Sequence, residues 1–107
     1  MKQIWFKQKF YNLILGGKKT QTIRLWKRKP NLISGEDFEC FFGFNHQKLF
    51  ATVDKIVIKN FEEITENEVN QDGFVSKDEL LTNLKNYYPD FDLKTNLYLI
   101  QFKLKNH

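Results

Sequence analysis

Residues 16–26 read GGKKTQTIRLW, and the architecture turns on them. Gly16 and Gly17 break the apolar spacing that precedes them, and glycine is the residue that ends helices in the left-handed conformation. Lys18 and Lys19 follow at once. From Thr20 to Trp26, polar and apolar side chains alternate, which is the period-2 pattern of a strand. The stretch is therefore a helix end, a tight bend and a strand start. It gathers Lys19, Thr22 and Arg24, and nowhere else in the chain do cations and a hydroxyl share a glycine-permitted bend.

Upstream, Phe6, Phe10, Leu13 and Ile14 stand at i, i+4, i+7 and i+8. That spacing predicts an amphipathic helix from Ile4 to Leu15 whose apolar stripe packs on a core. Downstream, the first strand is expected to run from Thr20 to Trp26. Lys27 to Ser34 reads as a loop, because Pro30 forbids a ladder bond and Asn31, Ser34 and Gly35 favour turns. Glu36 to Phe44 is a Phe-rich strand, Asn45 and His46 a hairpin turn, and Lys48 to Lys59 a long strand. Two helices follow, since Thr65 with Glu68 and Ser76 with Glu79 have capping-box spacing. The second, Lys77 to Tyr87, presents Leu80, Leu81 and Leu84 and stops before Pro89. Between these helices Gly73 permits a turn that leaves Asp72 at the bend and Phe74 aimed at the core. Asn96 to Lys105 alternates and closes the fold as a last strand.

The order is helix, three strands, two helices, strand. It predicts an α+β fold, a small mixed β-barrel flanked by an N-terminal helix and two helices before the last strand, with residues 1–107 as one domain. The chain is 41% hydrophobic and 28% charged, ordinary for a globular protein, with eleven Phe that must mostly be core. Cys40 is the lone cysteine, so no intrachain disulfide can form, which suits a reducing, cytoplasmic compartment. No run is long and apolar enough for a bilayer, and MKQIWFKQKF has no apolar signal core. One cysteine and two distant histidines, His46 and His107, supply no zinc cluster.

Net charge is +4 but unevenly spread: nine cations precede the first acid, Glu36, whereas Glu62 to Glu79 is mostly acidic. A basic first third suits an anionic partner such as RNA, DNA or a nucleotide, and it equally suits plain solvation. Lys27, Arg28 and Lys29 sit on the loop where phosphates would be met.

A threonine hydroxyl attacks only when a base takes its proton. Lys19 can be that base if burial and neighbouring positive charge, from Lys18 or Arg24, bring its pKa down. An acid must then protonate a leaving amine. Asp72 on its bend is the first candidate and Glu68 the second. In a regular strand Thr20, Thr22 and Arg24 share a face that Lys19 leaves, so the three meet only if the chain after Gly17 is irregular. The plain alternative makes Thr22 a β-branched strand residue and Arg24 a surface ion-pair partner.

The run Gly17-x-Lys19-x-x-Thr22-x-Arg24 resembles the signature of the ASCH domain, a PUA-like β-barrel family linked to RNA, which usually shows G-x-K-x-x-E-x-R. Threonine at the glutamate position resembles the small bacterial N4-acetylcytidine amidohydrolase branch. YNLILGGKKTQTIR, the loop ending Ser34-Gly35-Glu36-Asp37, Tyr88-Pro89 and LYLIQFKLK resemble that branch in order and spacing. The resemblance implies Thr22 as nucleophile, Lys19 as general base and Arg24 as the motif arginine. Asp72 falls where the branch has a glutamate acid, one methylene longer and one residue shifted. The implied reaction removes an acyl group from the exocyclic amine of N4-acetylcytidine or a related acylated nucleoside, with no cofactor. Arg24 or backbone N–H groups after Gly17 would steady the oxyanion, and Trp5, Trp26 or Phe74 would stack on the base unless they are core. The other implied reading is a non-catalytic RNA-binding module, in which Lys18, Arg24, Trp26, Lys27, Arg28 and Phe74 hold a nucleotide and its phosphates.

Overall fold

A computed structural model describes residues 1–26, 31–43 and 48–105. Strand β1 (Lys2–Trp5) leads through a 3-10 turn (Gln8–Phe10) into the short helix α1 (Tyr11–Leu15). Strands β2 (Gln21–Arg24), β3 (Asp37–Phe41) and β4 (Lys48–Lys59) follow. A 3-10 turn (Phe61–Glu63), helices α2 (Glu66–Gln71) and α3 (Lys77–Tyr87), and strand β5 (Leu97–Leu104) complete the order.

The strands form one mixed sheet in the order β1-β3-β4-β5-β2. β1 runs parallel to β3, and the other three pairings are antiparallel. The sheet curls into a half-barrel. β4 makes that curl possible: its register against β5 slips between Val53 and Lys55, so Asp54 is an extra residue that bends the strand. The two edge strands meet through a side chain, because Arg24 of β2 donates from Nη2 to the Trp5 carbonyl of β1 at 2.6 Å.

The expected N-terminal helix is half right. Ile4 and Trp5 belong to a strand, whereas Phe10, Leu13 and Ile14 of the apolar stripe pack from helical turns. A β-branched residue and an aromatic suit a pleated surface, and pairing with the free edge of β3 outweighs the marginal stability of an isolated short helix. β2 is also shorter than expected, ending at Arg24, and β3 begins at Asp37 and ends at Phe41. β4 and α3 have the predicted bounds. The expected turn at Asn45 and His46 and the loop cations Lys27 and Arg28 lie outside the described residues.

The core fills the concave side. Phe6, Phe10, Phe38, Phe42, Phe61, Phe74 and Phe102 are buried with Ile14, Leu80, Leu84 and Leu99. Thr65 caps α2 in a full capping box with Glu68. Ser76 caps α3 by accepting from the Glu79 N–H. Asn60 forms a further box with Glu63, ahead of the second 3-10 turn. The Thr65 box fixes where α2 starts, and the helix runs from there to its C-cap at Asp72.

Candidate active site

The bend after α1 is built from the residues its glycines allow. Gly17 is left-handed, with φ +78°. The Lys18 and Lys19 N–H groups then both fold back onto the Leu13 carbonyl, at 2.9 and 3.0 Å. These bonds hold Lys19 outside the regular strand, and its side chain turns inward. Its amine reaches the end of α2, donating to the Asp72 carbonyl at 2.7 Å and lying 3.3 Å from the Asp72 carboxylate. Asp72 is the C-cap residue of α2, and Gly73 beyond it takes φ +93° to turn the chain away.

Lys19 is 3% exposed and Asp72 4%, so this is a buried ion pair. Burial pushes the Lys19 amine below its ordinary range; the Asp72 carboxylate opposes that shift, and Arg24 and Lys9 add to it. The expected contributor Lys18 is exposed instead. Burial likewise pushes the Asp72 carboxyl up, against the pull of Lys19 and of the Gln21 amide. For both groups the loss of water outweighs their mutual attraction, as the cost of burying charge requires. The Lys19 ammonium also sits over the Phe10 ring at 4.7 Å and near Phe74 at 5.9 Å.

Thr22 projects from β2 opposite Ile100, and it too is buried. Its Oγ1 accepts from Arg24 Nε at 2.9 Å, a charge-assisted bond along one face of the strand. Arg24 lies over the Phe6 ring at 5.0 Å. Lys19, Thr22, Arg24, Asp72 and Phe74 all line a single cleft of about 60 Å³. Trp5, Lys7, Asn83 and Tyr87 line it as well.

Several expectations require correction. The N–H groups of Gly17, Lys18 and Lys19 are committed to carbonyls of α1, so they offer no oxyanion cradle. Trp26 is half-buried against Tyr98, with ring centroids 5.9 Å apart, and is not among the residues lining the cleft; neither is Lys18. Glu68, the second candidate acid, accepts from Lys59 Nζ at 2.9 Å and closes the Thr65 capping box. Burial raises its pKa, but those bonds prevail and hold the carboxylate below its usual range.

One polar residue at the site went unnoticed in the sequence. Gln21 is fully buried and donates to the Glu68 carbonyl at 2.9 Å and to Asp72 Oδ1 at 3.4 Å. Its own carbonyl accepts from Gln101 at 3.2 Å. A glutamine at an inward strand position was the available signal, since a buried amide needs partners. Among the described residues no cluster of three His, Cys, Asp or Glu could hold a metal, and no helix is long and apolar enough to cross a membrane.

No family model and no curated protein sequence matches the chain. Solved structures do resemble it. Protein EF3133 of Enterococcus faecalis superposes with a TM-score of 0.77 at 18% identity, over 100% of this chain and 84% of the other. The ASCH domain of Lactobacillus crispatus gives 0.79 at 16% identity, over 96% and 78%. ASCH of Zymomonas mobilis gives 0.67 at 18% identity, over 98% and 66%. The curled five-stranded mixed sheet, with its three helices, is the fold of an ASCH domain.

Proposed function

We propose that the chain is an amidohydrolase that removes an acyl group from the exocyclic amine of an acylated nucleoside, with N4-acetylcytidine as its type substrate. The observation that carries this reading is the buried Lys19–Asp72 pair, which opens on the same cleft as Thr22. Burial disfavours ammonium and carboxylate alike, which lowers the cost of the neutral-amine, neutral-acid state reached by moving one proton across 3.3 Å. That state holds a base and an acid at once, without any change in total protons.

The chemistry then balances. Lys19 takes the Thr22 proton as Oγ1 attacks the amide carbon. Arg24 Nε, already on that oxygen, favours the developing alkoxide, and its guanidinium would help to offset the charge of the tetrahedral oxyanion. As the C–N bond breaks, Asp72 gives its proton to the departing amine and cytidine leaves. Water attacks the acyl-threonine ester, giving its proton to the Asp72 carboxylate. Lys19 returns a proton to Thr22, and acetic acid departs and loses its proton to solvent as acetate. No step requires a metal or an organic cofactor.

Acetate release from N4-acetylcytidine by purified variants tests the assignment. Lys19→Met is expected to lower kcat by about 10²–10⁴-fold, the usual worth of a general base. Thr22→Ala is expected to leave no measurable release, and Thr22→Ser to keep part of it. Undiminished turnover in Thr22→Ala or Lys19→Met would remove that residue from its role.

A further inference from the structure

One buried polar side chain beside the Lys19–Asp72 pair has no part in the proposed mechanism. Gln21 on β2 is fully buried and is not among the residues lining the cleft, so substrate does not reach it. Its amide is nevertheless fully used. The two hydrogens of Nε2 have two acceptors, the Glu68 carbonyl at 2.9 Å and Asp72 Oδ1 at 3.4 Å. Its Oε1 accepts from Gln101, the residue opposite it on β5, at 3.2 Å. Turned over, the amide would set Oε1 against two oxygens, so its neighbours fix which way it faces. Burying an amide is costly unless its donors are met, and here one of them is met by the carboxyl at the site.

The consequence falls on the two oxygens of Asp72. Oδ1 faces a nitrogen that can only donate, whereas Oδ2 lies 3.3 Å from the Lys19 amine. The carbonyl oxygen of a carboxylic acid accepts better than its hydroxyl oxygen. A donor on Oδ1 therefore makes that atom the carbonyl and favours the acid proton on Oδ2. The same nitrogen grips the last turn of α2, where the Glu68 carbonyl also accepts the Asp72 N–H at 3.2 Å. Backbone and carboxyl of Asp72 are thus held from one strand residue.

We propose that Gln21 is a positioning residue for Asp72, holding its carboxyl so that Oδ2, the oxygen beside Lys19, is the one that carries the proton and gives it up. Only what that proton does depends on the hydrolase reading. The charged groups facing the carboxyl are Lys19 from the bend and Arg24 from β2. Lys9 acts on Lys19, and Tyr87 and Tyr88 of α3 act on Arg24. Gln21 joins the two cations in favouring the carboxylate, so removing its donor moves the Asp72 titration to higher pH.

The carboxyl carbon resonance of Asp72, followed by NMR against pH, tests the assignment. Its midpoint is expected to rise in Gln21→Leu. In the wild type, both side-chain N–H signals of Gln21 are expected to resist exchange with solvent, and one is expected to shift with the same midpoint as the carboxyl. That measurement needs no variant, so it decides the matter if Gln21→Leu does not fold. In the acetate assay Gln21→Leu should lower kcat about tenfold, leave KM within about threefold and move the low-pH limb of kcat to higher pH. A fall in Tm with an unmoved carboxyl midpoint would make Gln21 a packing residue and overturn the assignment. So would wild-type amide signals that ignore the Asp72 titration. The two readings fail separately. A midpoint that depends on Gln21, without acetate release, removes the hydrolase and leaves the positioning. Acetate release with kcat and its low-pH limb unchanged in Gln21→Leu does the reverse.

Discussion

The proposed chemistry depends on two side chains whose charges the fold resists. Lys19 and Asp72 lie 3.3 Å apart at the base of the cleft, each nearly cut off from water. A buried pair of this kind contributes little net stability, but removing one partner strands the other, at a cost of about 3–5 kcal/mol. Lys19→Met is therefore expected to destabilise by about that amount, and Lys19→Met/Asp72→Leu to return within about 1 kcal/mol of wild type or above it. Urea unfolding measures both. The pH dependence has a definite sign. Between the lowered Lys19 value and the ordinary 10.5, the unfolded chain binds more protons, so this group adds stability as pH rises through that window. Between 3.8 and the raised Asp72 value the folded chain binds more, so stability falls as pH rises there. The pair is least favourable near neutrality, and the advantage of the double variant is expected to be largest there and to shrink toward both extremes. A gap that is flat across pH would show that the pair is not penalised by burial.

The elements explain how groups so far apart in sequence meet. α2 ends at Asp72 because its capping box fixes the start and Gly73 turns the chain out with φ +93°. A Cβ at Gly73 would stand 3.4 Å from Leu13 Cδ1 and 3.6 Å from Lys19 Cβ. Gly73→Ala is expected to cost about 1–2 kcal/mol from its left-handed backbone, seen as a lower midpoint in urea, and to disturb Lys19 directly. Much of this was legible. β4 and α3 could be bounded from period and caps alone, since each is long enough for its pattern to repeat. β1 was not legible. Four residues, KQIW, cannot declare a period, and what makes them a strand is the edge of β3, more than thirty positions away in register, with Lys2 against Phe38. The site divides in the same way. Lys19, Thr22 and Arg24 are local to one bend and could be read from it. Gln21 could not be assigned a role, because its partners Glu68, Asp72 and Gln101 come from two distant elements. Lys18 and Trp26 stand outside the lining of the cleft, because closeness in sequence to a motif does not decide which way a side chain points.

At the scale of the whole molecule, one half-barrel sheet and the helices in its hollow form a single continuous core. Cys40 reports on it. Burial pushes that thiol up to about 12, so in the native state it is neither exposed nor ionised. Labelling by a thiol reagent is expected to proceed only at the rate of global unfolding and to track the urea transition; fast native-state labelling would mean that the sheet opens locally at β3. The same kind of burial opposes charge on the Lys19–Asp72 pair, and the proposed chemistry makes use of that beside the Thr22 hydroxyl. The most direct measurement is kcat for N4-acetylcytidine as a function of pH. With two protons on the pair there is no base, and with none there is no acid. The expected profile is a plateau that falls below an acid limb lying above 3.8 and beyond an alkaline limb lying below 10.5, both limbs belonging to the pair as a unit. Asp72→Asn is expected to abolish the plateau. No turnover at any pH, or a profile that Asp72→Asn leaves unchanged, would contradict the account.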